Sequence, residues 1–371
     1  MSTGSPEVKG ITTDDKGASP MPAIAMVFGK PDSKITFGAS IFGVSGFGVD
    51  FAAETNLPVD GSGNPNPNWD PNNSNPISYP QSMGGFGHIK SNYMLMQVGF
   101  TVAYKVTDKL SVGVTPLFNY GALEIAPNPT ASPDMTATRK GYPVSNNAST
   151  TGFGAQIGVF YDSGKGLKFG ASYKTKQDLS DLEFKNTYTD GSDATDNNFD
   201  MDFPAIYSVG MGYSNKMLDF ALDYRMVDYE NTNGFAETGW TSTASVKGFG
   251  WKNMNIVSVG LQYKGIEKLP LRLGYTYSSN PINEETAFYS VSAPAVIKNA
   301  FQLGMTYKMS DKMNINAVYH YGTSSGKTEG KLLNPMMASS SNPYGAIDGT
   351  KVAYEMSTNL IMIGVTYTFK K

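Results

Sequence analysis

Residues 97–105 read Gln-Val-Gly-Phe-Thr-Val-Ala-Tyr-Lys, and this stretch points to the fold class. Its larger apolar side chains, Val98, Phe100, Val102 and Tyr104, are each separated by one polar or small residue. Successive side chains of a β-strand point to opposite sides, so a period of two indicates a strand with one apolar and one polar face. The stretch therefore predicts a strand that lies between two different environments.

The same period recurs along the whole chain of 371 residues. The 40 Gly, 21 Pro, 22 Tyr and 20 Phe also favour strands and turns over helices. We therefore predict an all-β protein with thirteen strands. They fall at residues 23–29, 34–42, 97–105, 109–115, 153–161, 167–173, 207–213, 218–224, 257–263, 269–277, 301–308, 313–321 and 361–369.

The connections between these strands fall into two classes that alternate. Short turns lie at 30–33, 107–108, 162–166, 214–216, 264–268 and 309–312, and long polar loops at 43–91, 122–151, 175–203, 230–253, 278–299 and 323–358. This alternation is typical of an up-and-down antiparallel outer-membrane β-barrel with its long loops outside the cell. We therefore predict a transmembrane β-barrel over residues 21–371, preceded by a disordered or residual loop segment over residues 1–20.

Tyrosines occupy equivalent positions at one end of the predicted strands. Five precede a short turn and one closes the last strand together with Phe369; they are Tyr104, Tyr161, Tyr213, Tyr263, Tyr307 and Tyr367. A membrane interface selects such amphipathic rings, so we predict an aromatic girdle. The alternative is that they are ordinary strand-end tyrosines of a soluble β-protein.

Composition excludes several classes of function. The chain has no Cys, only two His (His88 and His320), and a formal net charge of -3. Disulfides and thiolate sites are therefore ruled out, little remains for a zinc site or a catalytic triad, and no basic surface is expected for nucleic acid. We expect no enzyme activity, metal or cofactor, although a barrel enzyme that uses the two histidines stays as a minor alternative.

Several segments, in order along the chain, resemble a known family. They are residues 22–46, with a turn at Pro31-Asp32; 102–113, Val-Ala-Tyr-Lys-Val-Thr-Asp-Lys-Leu-Ser-Val-Gly; 152–173; 271–281, Leu-Arg-Leu-Gly-Tyr-Thr-Tyr-Ser-Ser-Asn-Pro; and the terminal Gly-Val-Thr-Tyr-Thr-Phe. The chain is similar here to FadL-type outer-membrane transporters of long-chain fatty acids and other hydrophobic compounds.

The resemblance implies a monomer in the lipid bilayer of the bacterial outer membrane. Its ligand would be a long-chain fatty acid or an aromatic hydrocarbon, which diffuses passively through a lumenal pocket and a lateral opening. Family members have fourteen strands and an N-terminal hatch with an Asn-Pro-Ala motif. Aligned from the C-terminus, this chain supplies strands two to fourteen, so we expect the signal, hatch and first strand to be missing. A polar porin or an adhesin-like barrel is the alternative function.

The family's lateral opening is a kink in its third strand, which falls on Val44, Ser45 and Gly46. The family's serine near the kink corresponds to Gly43, with Ser45 close by. Three glycines within residues 43–48 also disfavour a regular ladder, so we predict a bulge or bend through which a ligand could pass. A flexible loop start is the alternative.

The resemblance also implies ligand-binding residues. The family's carboxylate-binding lysine corresponds to Lys252, whereas its arginine has no counterpart at Ala126-Pro127, so the ligand is expected to be less acidic than a fatty acid. The family's collecting groove lies on its third and fourth long external loops, which are here 122–151 and 175–203. The loop 175–203 holds an apolar set that forms either this groove or a self-packed loop: Leu182, Phe184, Phe199, Met201 and Phe203. Arg272 is expected to pair in the lumen with Asp219, Asp223 or Glu355.

Overall fold

The computed structural model of the protein describes residues 7–30, 32–136 and 138–369. Residues 1–6 of the predicted N-terminal segment and Pro31 of the predicted first turn lie outside the described residues. Thirteen long strands in this part of the chain form one antiparallel sheet whose order follows the sequence. They are β1 Ala23–Gly29, β2 Ile35–Phe51, β3 Ile89–Lys105, β4 Leu110–Ala126, β5 Ala148–Asp162, β6 Leu167–Lys174, β7 Ala205–Ser214, β8 Leu218–Asp228, β9 Met254–Tyr263, β10 Leu271–Ser278, β11 Asn299–Lys308, β12 Met313–Thr323 and β13 Ser357–Tyr367.

The predicted all-β, up-and-down architecture is confirmed. Every consecutive pair from β1 to β13 is antiparallel, and among the described residues β1 pairs only with β2 and β13 only with β12. No helix in the described ranges is long and apolar enough to cross a membrane.

The strands at the N-terminal side of the sheet are longer than predicted. β2, β3 and β4 each have 17 residues and β5 has 15, so they extend into the predicted loops 43–91 and 122–151. Lys90 and Asn92 replace apolar residues on the outward face of β3, which hides the period, while the inward side chains of Ser91 and Tyr93 stay buried. The strands β2 to β5 therefore extend past the apolar band toward the long loops.

The outward face of the sheet is an exposed apolar band. All six predicted girdle tyrosines point outward and are exposed, at the short-turn end of their strands. Above them, large apolar side chains alternate outward on each strand, including Phe100, Val102, Ile157, Val159, Val209, Val259, Leu273, Leu303 and Ile363. Soluble proteins rarely expose a continuous apolar surface of this extent, so the band is suited to contact with lipid.

The long loops carry short elements, several of which pack against the inward face of the sheet. The short strands are Val144–Ser145, Asp178–Leu179, Leu182–Phe184, Asn186–Thr187, Asn197–Phe199, Thr328–Gly330 and Val352–Tyr354. The single-turn 3-10 helices are Pro71–Asn73, Pro76–Ser78, Gln81–Met83, Tyr229–Asn231, Ala287–Ser290 and Pro335–Met337. Aspartate or asparagine side chains cap three of these turns, at Asp70, Asn75 and Asn334, which explains why they start after these residues.

Candidate site for hydrophobic ligands

The inward face of β3 passes four successive levels of the lumen. From the long-loop end they are an aromatic pocket, an apolar cluster, a layer of buried amides and an open cavity. The inward β3 residues at these levels are, in order, Ile89 for the pocket, Tyr93 and Leu95 for the cluster, Gln97 for the amide layer, and Thr101 and Ala103 for the cavity. The inward residues of this single strand thus contact all four levels in turn.

The aromatic pocket lies among the long loops and has a volume of about 50 Å³. Its lining is Phe86, Ile89, Pro127, Pro129, Tyr142, Trp240, Val246, Phe288, Tyr289, Val291 and Ser292. The Tyr142 hydroxyl donates to the Ala244 carbonyl at 2.7 Å, and Trp240 Nε1 donates to the Tyr344 carbonyl at 2.9 Å. The buried Tyr289 hydroxyl has no hydrogen-bond partner among the described residues. Burial raises the pKa of both Tyr142 and Tyr289, so both hydroxyls stay protonated at neutral pH.

The apolar cluster fills the lumen below this pocket. The five apolar residues predicted in the loop 175–203 are all buried in it, against Leu95 of β3 and aromatic residues of the loop 229–253. Phe235, Phe249 and Trp251 form its aromatic centre, with ring centroids 5.0 to 5.6 Å apart. The five residues thus pack into the lumen and do not form an open groove, while their contact with a ligand stays a prediction.

The amide layer closes the lower side of the cluster. Gln97 Nε2 donates to Asn119 Oδ1 and to Gln177 Oε1, both at 2.9 Å, and Asn119 Nδ2 donates to the same Gln177 oxygen at 2.5 Å. Lys174 Nζ donates to Gln97 Oε1 at 2.8 Å and lies 5.6 Å from the Phe203 ring centroid. Buried polar groups are usually hydrogen-bonded, and in this layer Gln177 Nε2 is the exception, since it has no partner among the described residues.

The cavity at the short-turn end has a volume of about 860 Å³. Its lining mixes small or polar residues with apolar ones such as Val112, Phe169 and Met211. The small or polar residues include Thr101, Ser111, Gly113, Gln156, Gly170, Ser172, Ser208, Gly210 and Ser214. Its charged lining residues include Lys264, which pairs with Asp219 at 2.6 Å, and Lys168. This lower level therefore differs from the apolar cluster in carrying charged side chains.

The wall of the sheet is irregular where β2 passes the cluster. A β-bulge shifts the register between β2 and β3, because Gly43 pairs with Met96 and Ser45 with Leu95, which leaves Val44 unpaired. Pairing with β3 then resumes up to Phe51. Val44 and Phe47 both pack against the apolar cluster, so the bulge lies next to the lumen's most apolar level.

On its other side, β2 loses its partner over the same residues. β1 pairs with β2 as far as Ala23 and Phe42, and contact returns at a bridge between Asp14 and Phe51. The intervening segments contain the same number of residues, but no backbone hydrogen bond joins residues 16–22 to residues 43–49 among the described residues. Pro20 and Pro22 have no amide N–H, which accounts for part of this loss. Side chains still meet here, because Met21 Cε lies 3.2 Å from an ideal Cβ on Gly43. We call this stretch without ladder hydrogen bonds, between residues 16–22 and 43–49, the slot.

The slot lies at the outer edge of the apolar band. Gly43 and Gly46 pair with Met96 and Met94, the last apolar outward residues of β3 before the polar Asn92. The Lys16 side chain crosses the slot, because its Cε lies 2.7 Å from an ideal Cβ on Gly48 and its Nζ donates to the Ser91 carbonyl at 3.1 Å. Glycine at position 48 therefore leaves room for Lys16.

Lys252 is not in the lumen. Its neighbour Trp251 takes the inward position and is buried, so Lys252 points away, with 63% of its side chain exposed and its Nζ 3.2 Å from Glu230 Oε1. A carboxylate held in a water-poor pocket by Lys252 does not fit this geometry. Ligand binding by Lys252 stays a prediction.

Arg272 does face the lumen, but its partners differ from the expected carboxylates. Its Nε donates to Gln262 Oε1 at 2.6 Å and its Nη1 to Thr306 Oγ1 at 2.8 Å. Gln262 in turn donates to Asp219, whose other oxygen is taken by Lys264. The closer lysine thus replaces Arg272 as the ion-pair partner of Asp219.

The two histidines lie in separate surroundings. His88 Nε2 is 2.6 Å from Asp50 Oδ1 at the long-loop end, whereas His320 Nδ1 is 3.2 Å from Gln302 Nε2 on the sheet. In the described part of the chain no group of three His, Asp or Glu residues is arranged to hold a metal ion.

Several solved structures are similar to this chain in fold. The toluene transporter TodX of Pseudomonas putida aligns over 96% of this chain and 84% of its own, with 15% identity and a TM-score of 0.65. A FadL homologue of Pseudomonas aeruginosa aligns over 94% and 78%, with 14% identity and a TM-score of 0.65. The toluene transporter TbuX of Ralstonia pickettii aligns over 94% and 81%, with 18% identity and a TM-score of 0.60. At these identities the likeness shows the fold.

The family is assigned from the sequence. No curated protein matches the chain significantly. The family model described as outer membrane protein transport protein (OMPP1/FadL/TodX) matches residues 78–369, well over half of the chain. Members of this family are transport channels of the bacterial outer membrane and not enzymes. The chain therefore belongs to the OMPP1/FadL/TodX family of outer-membrane transport proteins for hydrophobic compounds.

Proposed function

We propose that this protein, acting as a monomer, lets small uncharged hydrophobic molecules diffuse passively from the outside into the outer membrane and leave sideways through the slot. The observation that carries the proposal is the position of the slot. The strand β2 borders the slot and connects the two apolar regions: its Val44 and Phe47 pack against the apolar cluster, and its Gly43 and Gly46 pair with Met96 and Met94 of the apolar band.

The levels of the lumen favour a sideways exit over a straight passage. Each buried CH₂ group is worth about 0.8 kcal/mol relative to water, so an apolar molecule is stabilised at the level of the cluster. Movement farther down would bring it against the buried amides of Gln97, Asn119 and Gln177, which it could not replace as hydrogen-bond partners. Movement through the slot exchanges one apolar environment for another.

An uncharged ligand fits better than a fatty acid because Lys252 points away from the lumen. Lys174 supports the fatty acid as a second candidate. It lies in the amide layer, where its Nζ contacts an amide oxygen and a phenyl ring instead of a carboxylate. Solved structures with the same fold include toluene transporters and a FadL homologue, and at this identity they do not choose between the two ligand classes.

Deletion of Val44 tests the route. It removes the one unpaired residue of the bulge, so the β2–β3 register becomes continuous without reversing the faces of either strand. Cells that express the deletion variant should take up radiolabelled toluene several-fold more slowly than cells with the unchanged protein at equal surface levels. Equal uptake by the two would contradict a role of the bulge at Val44 in the route.

Ion conductance separates this function from that of a polar porin. The apolar cluster and the amide layer together occupy the lumen above the cavity, so the full-length protein in a planar bilayer should pass little current. Large, stable single-channel conductance would favour the porin.

A further inference from the structure

We propose that the aromatic pocket at the long-loop end is a binding site for a small neutral aromatic molecule that carries one hydroxyl or carbonyl oxygen, such as a phenol. This inference rests on the proposed function and deepens it, because it adds a recognition site where the ligand first meets the protein. The argument uses the walls of the pocket, its size and the buried, unpartnered hydroxyl of Tyr289.

The walls of the pocket suit an uncharged aromatic ligand. The lining comes from four long loops and the start of β3, and it holds five aromatic side chains, two prolines and no charged residue among its described members. Phe86 lies 5.6 Å from Phe288 and 6.1 Å from Tyr142, and Trp240 lies 5.2 Å from Tyr289. These separations are in the range of favourable aromatic pairs, so a ligand ring can add to an existing cluster. A carboxylate would find no cation there.

The size limits what can enter. The volume of about 50 Å³ is well below the ~150 Å³ of an engineered cavity that binds benzene. Ile89, Tyr142 and Tyr289 are buried, whereas Phe86, Trp240 and Phe288 are only half-buried. The existing space holds only the polar end of the ligand, which lies among the buried residues. Its ring needs more room, and we expect Phe86, Trp240 and Phe288 to move aside for it.

Tyr289 supplies the polar contact. It is 5% exposed, it lines the pocket, and its hydroxyl is among the few buried side-chain polar atoms of the described residues that lack a partner. A buried hydroxyl without a partner is unfavourable, and a ligand oxygen within the pocket would supply the missing hydrogen bond. The other polar ring atoms, those of Tyr142 and Trp240, are already bonded to carbonyls, so Tyr289 carries the available ring hydroxyl. The half-buried Ser292 adds a second hydroxyl to the lining.

Equilibrium binding to the purified full-length protein in lipid nanodiscs tests the site. Phenol and toluene are titrated against the unchanged protein and against Tyr289→Phe, which keeps the ring and removes only the hydroxyl. The affinity for phenol should fall about 2- to 10-fold, the effect of one net hydrogen bond, while the affinity for toluene stays the same. Tyr224→Phe is the matched control, since it removes a hydroxyl bonded to Asn255 outside the pocket.

A second variant, Val246→Phe, fills the pocket and should abolish the binding of both molecules there. Phenol affinity that is unchanged in Tyr289→Phe, or that falls equally with that of toluene, would overturn the proposal. Phenol binding that persists in a folded Val246→Phe protein would also overturn it. Failure of the transport route is recognised separately, because it would appear as toluene uptake that is unchanged when Ser19→Cys and Gly46→Cys join the two sides of the slot, while phenol binding still follows Tyr289.

Discussion

The replacement Asp14→Ala probes the upper end of the slot. Asp14 Oδ1 accepts the Asp50 amide at 2.6 Å and the Lys16 amide at 3.2 Å, and the neighbouring Asp15 amide donates to the Asp50 carbonyl at 2.9 Å. The two contacts with Asp50 attach the N-terminal segment to the end of β2, and the contact with the Lys16 amide holds the turn of the segment itself. Loss of the carboxylate therefore removes one of the two hydrogen bonds that join the segment to β2 at this end and also releases the turn.

The size of the effect follows from the number and exposure of these bonds. Hydrogen bonds to a charged group contribute more than neutral ones, but those of Asp14 are exposed, so we expect about 1–2 kcal/mol for the pair. Local opening at β2 then becomes roughly 5- to 30-fold more frequent, because each ~1.4 kcal/mol is a factor of ten. The strands away from the slot should be unaffected.

Hydrogen exchange measured by mass spectrometry on peptides that cover residues 47–52 detects this opening. The Asp50 amide should exchange faster in Asp14→Ala by the stated factor, whereas Asp14→Asn, which retains a side-chain oxygen, should change it much less. Peptides from β9 and β10 serve as the internal reference. Unchanged exchange at Asp50 in Asp14→Ala would refute the conclusion that this contact closes the slot.

Three further changes test other levels of the lumen. Lys252→Met should leave fatty-acid affinity within about twofold in a binding titration, and a tenfold loss would place this lysine in the ligand site. Gly154→Ala should lower the urea midpoint, because its Cβ would lie 2.3 Å from Gln177 Cγ in the amide layer, and an unchanged midpoint would argue against tight packing there. Leu182→Ala should cost about 3 kcal/mol and expose its loop to trypsin, whereas the lipid-facing Leu273→Ala should not, and equal cleavage would contradict the buried cluster.

The strands were predictable from sequence because the chain separates two environments. Along β9, the outward Val257, Val259 and Leu261 alternate with small or polar inward residues, and no tertiary contact overrides that period. Near the long-loop ends of β2 to β5 the outward residues are no longer apolar. The alternation of apolar and polar residues is lost there, so the predicted strands end too early.

The contents of the lumen could not be read in the same way. Gln97 was visible as an inward polar residue, but Asn119 and Gln177, which join it, come from another strand and from a loop. Loop residues such as Phe184 have no period that distinguishes an open groove from a packed interior. Lys252 precedes β9 in an irregular segment, where the side that it faces depends on Trp251 and not on strand alternation.

The N-terminal frame of the slot was also hidden from sequence reasoning. The bulge could be anticipated from the glycines at 43–48, since they disfavour a regular ladder. The return of Asp14 to Phe51 depends on contacts between residues that are far apart in sequence, and no local pattern marks it.

Reversible closure of the slot tests most directly whether the ligand leaves through it. The chain has no cysteine, so Ser19→Cys with Gly46→Cys allows a short reducible cross-linker to join the two sides. The control pair is Ser258→Cys with Thr276→Cys, whose hydroxyl oxygens lie 3.1 Å apart between β9 and β10. Toluene uptake should fall several-fold when the first pair is joined, recover on reduction, and stay constant for the control. Uptake that is unchanged by a fully joined slot would contradict the account.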